Sequence, residues 1–164
     1  SGPTGPVSSF SPLLAITPFE RPDIALARSL RRHGCAAAVD IGRRPEAWPD
    51  LFDALSRERA PGLGLRLPDG VDVAGLTPPA GVRFVIADAT LLPLPASWRD
   101  LPLLAQVCSE AEAQAALAAG AAGLIAKGQE SGGRTGDESG FVLLQRIAPV
   151  AEADVPQLKP GMHL

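Results

Sequence analysis

The stretch GLIAKGQESGGRTGDESGFVLLQRI, Gly123 to Ile147, carries the reading of this chain. It starts with a short apolar run (Gly123-Leu124-Ile125-Ala126) and passes through Lys127 into a loop holding Gly128, Gly132, Gly133 and Gly136. From about Glu138 the apolar residues return at helical spacing. Strand, glycine-rich loop and helix in that order predict one βα unit. Glycine lets a backbone approach a ligand closely, and successive N–H groups in such a loop can cradle an anion. A helix N-terminus favours the same negative charge. Gly128, Gly132 and Gly133 are therefore the candidate ligand-binding residues, and Lys127, Glu130 and Arg134 the candidates for chemistry.

Working outward, the same short apolar run recurs along the chain. It begins near Leu13 (LLAI), Ala36 (AAAVDI), Leu63 (LGLRL), Arg83 (RFVIAD), Pro102 (PLLAQV) and Gly123, at intervals of 23, 27, 20, 19 and 21 residues. Near-continuous hydrophobicity in runs this short predicts strands covered on both faces, as in a parallel sheet. Helix signals lie between them. Pro22-Asp23 opens IALARSLRRHG with Gly34 as its stop, Pro49-Asp50 opens LFDALSRE, and Ser109 precedes EAEAQAALAAG with Glu112 at the capping-box position. The connections Pro68–Gly81 and Asp88–Asp100 are proline-rich, which limits any helix there to a short one.

This alternation fits an α/β fold: an incomplete (β/α) barrel of about six parallel βα units or, alternatively, an open parallel sheet, doubly wound. A complete barrel takes about 250 residues. The six units reach Ile147, and the 17 residues beyond cannot supply two more. The expected organisation is a disordered or cloning-derived N-terminus over 1–9, a partial barrel over 10–147, and a linker or docked tail over 148–164.

Composition narrows the function. Of 164 residues, 46% are apolar and 20% charged, and the formal net charge is −3, so a general nucleic-acid binder is disfavoured. Glycine and proline contribute 17 residues each, yet mean hydropathy is +0.13, too high for a disordered chain. No apolar run approaches the ~20 residues of a membrane helix. Two separated cysteines, Cys35 and Cys108, suit a reducing compartment, and the expected location is the cytoplasm. His33 and His163 have no partners at zinc-ligand spacing, so no metal is expected.

Each apolar run ends in or just beyond a polar residue: Glu20, Asp40, Arg66, Asp88, Gln106 and Lys127. The carboxyl ends of strands form the ligand face of βα folds, so these six residues are a candidate pocket floor. They also suit helix capping and mutual pairing. Other chemistries find less support. Gly128 to Thr135 reads G-x-x-x-x-G-R-T, a P-loop spacing with arginine in place of the phosphate-bridging lysine. Position 129 is glutamine, so Ser131 has no nucleophile elbow. The Gly62-Leu63-Gly64 pair of glycines precedes a strand instead of following one, the wrong context for a dinucleotide fingerprint.

The segment Ala118-Ala119-Gly120-Ala121-Ala122-Gly123-Leu124-Ile125-Ala126-Lys127-Gly128-Gln129-Glu130-Ser131-Gly132-Gly133-Arg134 resembles the sixth-strand motif of the nitronate monooxygenase (2-nitropropane dioxygenase) family, roughly A-G-A-D-x-x-x-A-Q-G-x-E-A-G-G-H. That family consists of flavin mononucleotide TIM barrels and includes enoyl reductases of fatty-acid synthesis. The Pro18-Phe19-Glu20-x-Pro22-Asp23 segment, with Lys127 and Arg134, is more similar to a divergent branch inside polyketide and related fatty-acid megasynthases. The resemblance covers roughly Phe10 to Ile147, and only its last unit is specific. It departs from the family where the catalytic histidine is Arg134, where a glutamine is Lys127, and where the residues usual after the first strand are Phe19-Glu20. A guanidinium stays protonated and cannot abstract a proton. The family's flavin phosphate is held largely after the seventh and eighth strands.

The resemblance thus implies a truncated, mainly non-catalytic structural, dimerisation or docking module of a megasynthase, without cofactor. Its partners would be a second copy of the chain, a ketosynthase and an acyl carrier protein, with no nucleic acid or membrane. The alternative is an FMN-dependent oxidoreductase, of enoyl-thioester reductase or nitronate monooxygenase type, completed by another chain or segment. A further alternative is a cofactor-free enzyme acting on carrier-bound acyl chains through Lys127 and the strand-end carboxylates.

Overall fold

The structure, a computed structural model, describes residues 13–58 and 62–154. The expectation for residues 1–9 lies outside them, as does His163. Six strands alternate with helices: β1 (Leu14–Ile16), α1 (Ile24–Arg32), β2 (Ala36–Asp40), α2 (Trp48–Arg57), β3 (Leu63–Leu67), β4 (Phe84–Asp88), β5 (Leu103–Val107), α3 (Glu110–Ala118), β6 (Gly123–Ala126) and α4 (Gly140–Asp154). All neighbouring strands are parallel, and their order in the sheet is their order in the chain. A doubly wound sheet reverses direction at a switch point. This one winds a single way, and with right-handed crossovers that places the connections on one face and curls the sheet. The fold is an incomplete α/β barrel.

Local chemistry accounts for the elements. Asp23 caps α1 by accepting from the Leu26 N–H at 2.8 Å, and Gly34 ends it at φ +84°, a left-handed conformation that suits glycine. Pro49 lies in the first turn of α2, where its missing N–H has no intrahelical partner to lose. Ser109 caps α3, its Oγ accepting from Glu112 N at 3.2 Å. Ser109→Ala is expected to lower stability by about 1 kcal/mol, read as a shift in the urea midpoint without a change in slope.

Side chains alternate along each strand, and the register sorts them into two sets. The outer set (Ala37, Val39, Leu65, Leu67, Val85, Ala87) is fully buried and packs with Ala27 of α1 and with Trp48, Leu51 and Leu55 of α2. Neither proline-rich connection carries an α-helix; Trp98, wholly buried from a 3-10 turn, fills that side and meets Phe52 edge-on at 6.4 Å. A second cluster joins Ala105 and Val107 of β5 to Ala113 and Ala116 of α3 and Leu143 and Ile147 of α4. The inner set follows the pairings Asp40–Arg66, Arg66–Ile86 and Asp88–Gln106.

One boundary differs from the sequence expectation. The sequence places the end of the partial barrel at 147 and the start of a linker or docked tail at 148; the last helix runs across that boundary to Asp154. Pro149 lies inside it. Proline forfeits one backbone hydrogen bond and crowds the carbonyl four residues before it, while the strong helix formers Ala148 and Ala151 favour the helix on either side. The expectation for 155–164 lies outside the described residues. Among the described residues, no helix is long and apolar enough to cross a membrane.

Candidate functional site

Five of the six strand-end residues form a buried polar layer at the carboxyl end of the sheet: Asp40, Arg66, Asp88, Gln106 and Lys127 are each at most 4% exposed. Glu20, the sixth, does not join them. It lies on the rim at φ +58°, its exposed carboxylate accepting from Arg43 Nη1 at 2.8 Å.

Two ion networks organise this layer. In the first, Arg66 pairs with Asp40 through Nη1 and donates from Nε to Gln106 Oε1 at 3.1 Å. Asp40 also accepts from the Gly42 N–H at 2.7 Å, and its own N–H donates to Thr17 Oγ1 at 2.9 Å. In the second, Arg134 reaches back from the glycine loop. Its Nε donates to Asp88 Oδ1 and Oδ2 at 2.9 and 3.0 Å, and its Nη1 and Nη2 donate to Glu112 Oε1 and Oε2 at 2.7 and 2.9 Å. Every nitrogen of the guanidinium is engaged, and a bidentate fork of this kind is among the strongest ion-pair geometries. The Glu112 hydrogen bonds above all, offset in part by burial and joined by those to Asp88, raise Arg134 still further above its ordinary range. Burial alone would lift Asp88, but the hydrogen bonds from Arg134 and Thr90 outweigh it and hold the carboxyl below its ordinary 3.8.

Lys127 is the exception in a layer of pairs. Its Nζ is buried and has no hydrogen-bond partner, and neither does Arg66 Nη2. Burial, followed by the positive charge of Arg66, pushes the Lys127 ammonium below its ordinary 10.5. Both cations face the same aromatic ring: Arg66 Cζ is 4.3 Å and Lys127 Nζ 5.6 Å from the centroid of Phe19. Phe19 is itself 45% exposed and forms the outer cover of the layer.

The glycine loop folds onto the chain's own groups. A Cβ at Gly132 would run into the Phe19 ring, and one at Gly136 into the Cys108 carbonyl. Gly133, at φ +75°, would bring a Cβ 3.2 Å from Phe19 and 3.3 Å from Lys127 Nζ. A Cβ at Gly128 would meet the Gly140 N–H and the Glu130 carboxylate. Glu130 Oε1 accepts from the Gly140 N–H at 2.8 Å, so the N-terminus of α4, expected to face a ligand, holds an anion supplied by the protein. The Gln129, Ser131 and Gly136 N–H groups are spent on Glu138, Gly128 and Lys127 carbonyls. The helix end is thus filled by Glu130, and the ring of Phe19 covers the cations of the strand-end layer.

Sequence reasoning missed two site residues, Glu112 and Phe19. Glu112 reads as the distal half of a capping box, but its Oε2 accepts from the Cys108 N–H at 2.7 Å and from Arg134. Burial pushes the Cys108 thiol up, away from a reactive thiolate. Among the described residues, no three His, Cys, Asp or Glu side chains are grouped to hold a metal ion.

No known family profile matches this chain, and no curated protein matches it. Among solved structures, FabK from Thermotoga maritima has the same fold, with a TM-score of 0.57 and 18% sequence identity. The match covers 82% of this chain and 47% of that one, so the chain spans about half the length of the structure it resembles. At this identity the likeness is one of architecture alone.

Proposed function

We propose that this chain is a mainly non-catalytic structural or docking module, a partial flavin-type barrel belonging to a polyketide or related fatty-acid megasynthase. The observation that carries the reading is the state of Arg134. The motif resemblance aligns it with the family's catalytic histidine, and here it is a cation held by two carboxylates, Asp88 and Glu112. It ties β4 to α3 through Asp88 and Glu112, and each of its three nitrogens already donates to a carboxylate of the chain. Glu130 fills the N-terminus of α4, where the loop would otherwise receive an anion.

Self-association is part of the proposal. Among the described residues the two edge strands, β1 and β6, each pair on one side only, and Leu13, Leu14, Phe141, Val142 and Leu144 leave large apolar surface exposed. A second copy is the partner this proposal assigns to that surface, with ketosynthase and acyl carrier domains as neighbours in the assembly. The competing reading is an FMN-dependent oxidoreductase completed by another chain or segment; the likeness to FabK favours it, since that structure is about twice as long.

Visible absorbance together with sedimentation separates the two. The purified protein is expected to stay colourless after excess flavin mononucleotide is added and dialysed away, and to sediment as a dimer. A yellow protein retaining close to one flavin per chain would overturn the scaffold reading.

A further inference from the structure

Buried cations with empty donors are the least expected feature of this molecule. Arg66 and Lys127 are 1% and 4% exposed. Buried charges are ordinarily paired and hydrogen-bonded, because desolvation without compensation is costly. The second network obeys that rule, since every nitrogen of Arg134 is used. Two donors break it, Arg66 Nη2 in the first network and Lys127 Nζ, which belongs to neither. The two orphaned donors come from β3 and from the residue just after β6, share the Phe19 ring as a cover, and repel one another. Asp40 is committed to Arg66 Nη1 and the Gly42 N–H, and Asp88 to Arg134 and Thr90. No carboxylate among the described residues reaches Lys127.

We infer that Arg66 Nη2 and Lys127 Nζ form a binding site for a small oxyanion, a carboxylate or a phosphate, seated beneath Phe19 at the carboxyl end of the sheet. One such group accepts from both donors at once and neutralises the repulsion between them. A carboxylate matches a guanidinium edge, and its second oxygen is free for an ammonium. Phe19, 45% exposed, is the side chain over both donors that an entering anion would displace. This site adjoins Gly133 of the glycine loop and is distinct from the α4 N-terminus, which Glu130 fills. It does not depend on the scaffold reading: a structural module can hold a bound anion, and failure to bind one leaves the flavin and sedimentation outcomes unaffected.

The composition makes the test clean. The chain has only two lysines, Lys127 and Lys159, against thirteen arginines. In protein labelled with 13C at lysine Cε, acetate or phosphate is expected to move one of two side-chain resonances saturably, while chloride at equal ionic strength does not. Acetate and phosphate titrations distinguish the two ligand classes by which one saturates at the lower concentration. Thermal unfolding supplies the second readout. Either anion is expected to raise the Tm of the wild type, as any ligand that binds only the folded state does. Lys127→Met is expected to unfold at a higher temperature than the ligand-free wild type, having lost an uncompensated buried charge, and to bind about ten- to a hundredfold more weakly. Lys127→Arg, which keeps a donor and the charge, is expected to retain most of the binding. The inference is overturned if both lysine resonances are indifferent to acetate and phosphate. It is equally overturned if Lys127→Met responds to these anions as the wild type does, since the gain then comes from general exclusion of salt from the surface.

Discussion

Arg66→Met is expected to destabilise the protein by about 3–5 kcal/mol, the usual cost of leaving the other member of a buried ion pair without its cation. Asp40 has no exposure and keeps only the Gly42 N–H as a side-chain hydrogen-bond donor once the guanidinium is gone. Gln106 loses a partner at the same time. The companion change Asp40→Asn removes the stranded charge, so the double variant Asp40→Asn/Arg66→Met is expected to recover a large part of the loss. Urea unfolding of the four proteins closes the cycle and isolates the pair's coupling. Strictly additive losses would show that Asp40 and Arg66 do not act as a pair.

Arg134→Met has the second largest expected effect, and it carries a pH signature. The Arg134 side chain is 24% exposed and Glu112 is 28% exposed, whereas Asp88 is fully buried. Discounting the buried-pair cost for that exposure gives an expected loss of about 2–3 kcal/mol at neutral pH. In the wild type Asp88 has a depressed pKa when folded. Its contribution is therefore fully present above the unfolded carboxylate value of about 3.9 and is lost as pH falls through the lower folded value. Below about pH 4 the wild type is expected to lose stability through this group. In Arg134→Met the burial term, which raises the Asp88 pKa, is no longer opposed by the guanidinium, so that acid-side loss is expected to shrink. Urea midpoints of both proteins between neutral and acid pH check it; parallel profiles would exclude Asp88 as the linked group.

The strands were legible because each is a short apolar run covered on both sides, from Ala37-Ala38-Val39 to Leu103-Leu104-Ala105. The caps at Asp23 and Ser109 and the stop at Gly34 were legible because their chemistry is local. Five of the six strand-end polar residues converge for the same reason: strand alternation alone puts them on the inner face. What escaped the sequence acts over long separations. Glu112 is 22 residues from Arg134, and Phe19 covers Lys127 from the other end of the chain. Glu130 turns back to Gly140 across a loop whose glycines suit a ligand or close chain packing equally well. The end of α4 escaped because Pro149 looks like a terminator, although a proline late in a helix costs only one bond and some bending.

The strictly sequential strand order bears on how the molecule is made. Each strand hydrogen-bonds only to the strands just before and after it in the chain, so no pairing awaits a segment from the far terminus. Loop-closure entropy is then met in separate steps of about twenty residues each. On the ribosome, β2 can join β1 and α1 before β3 has been synthesised, and every later unit docks on an edge already formed. The same growing edge is the hazard of this topology, since at each stage it is the surface most ready to pair with another nascent chain.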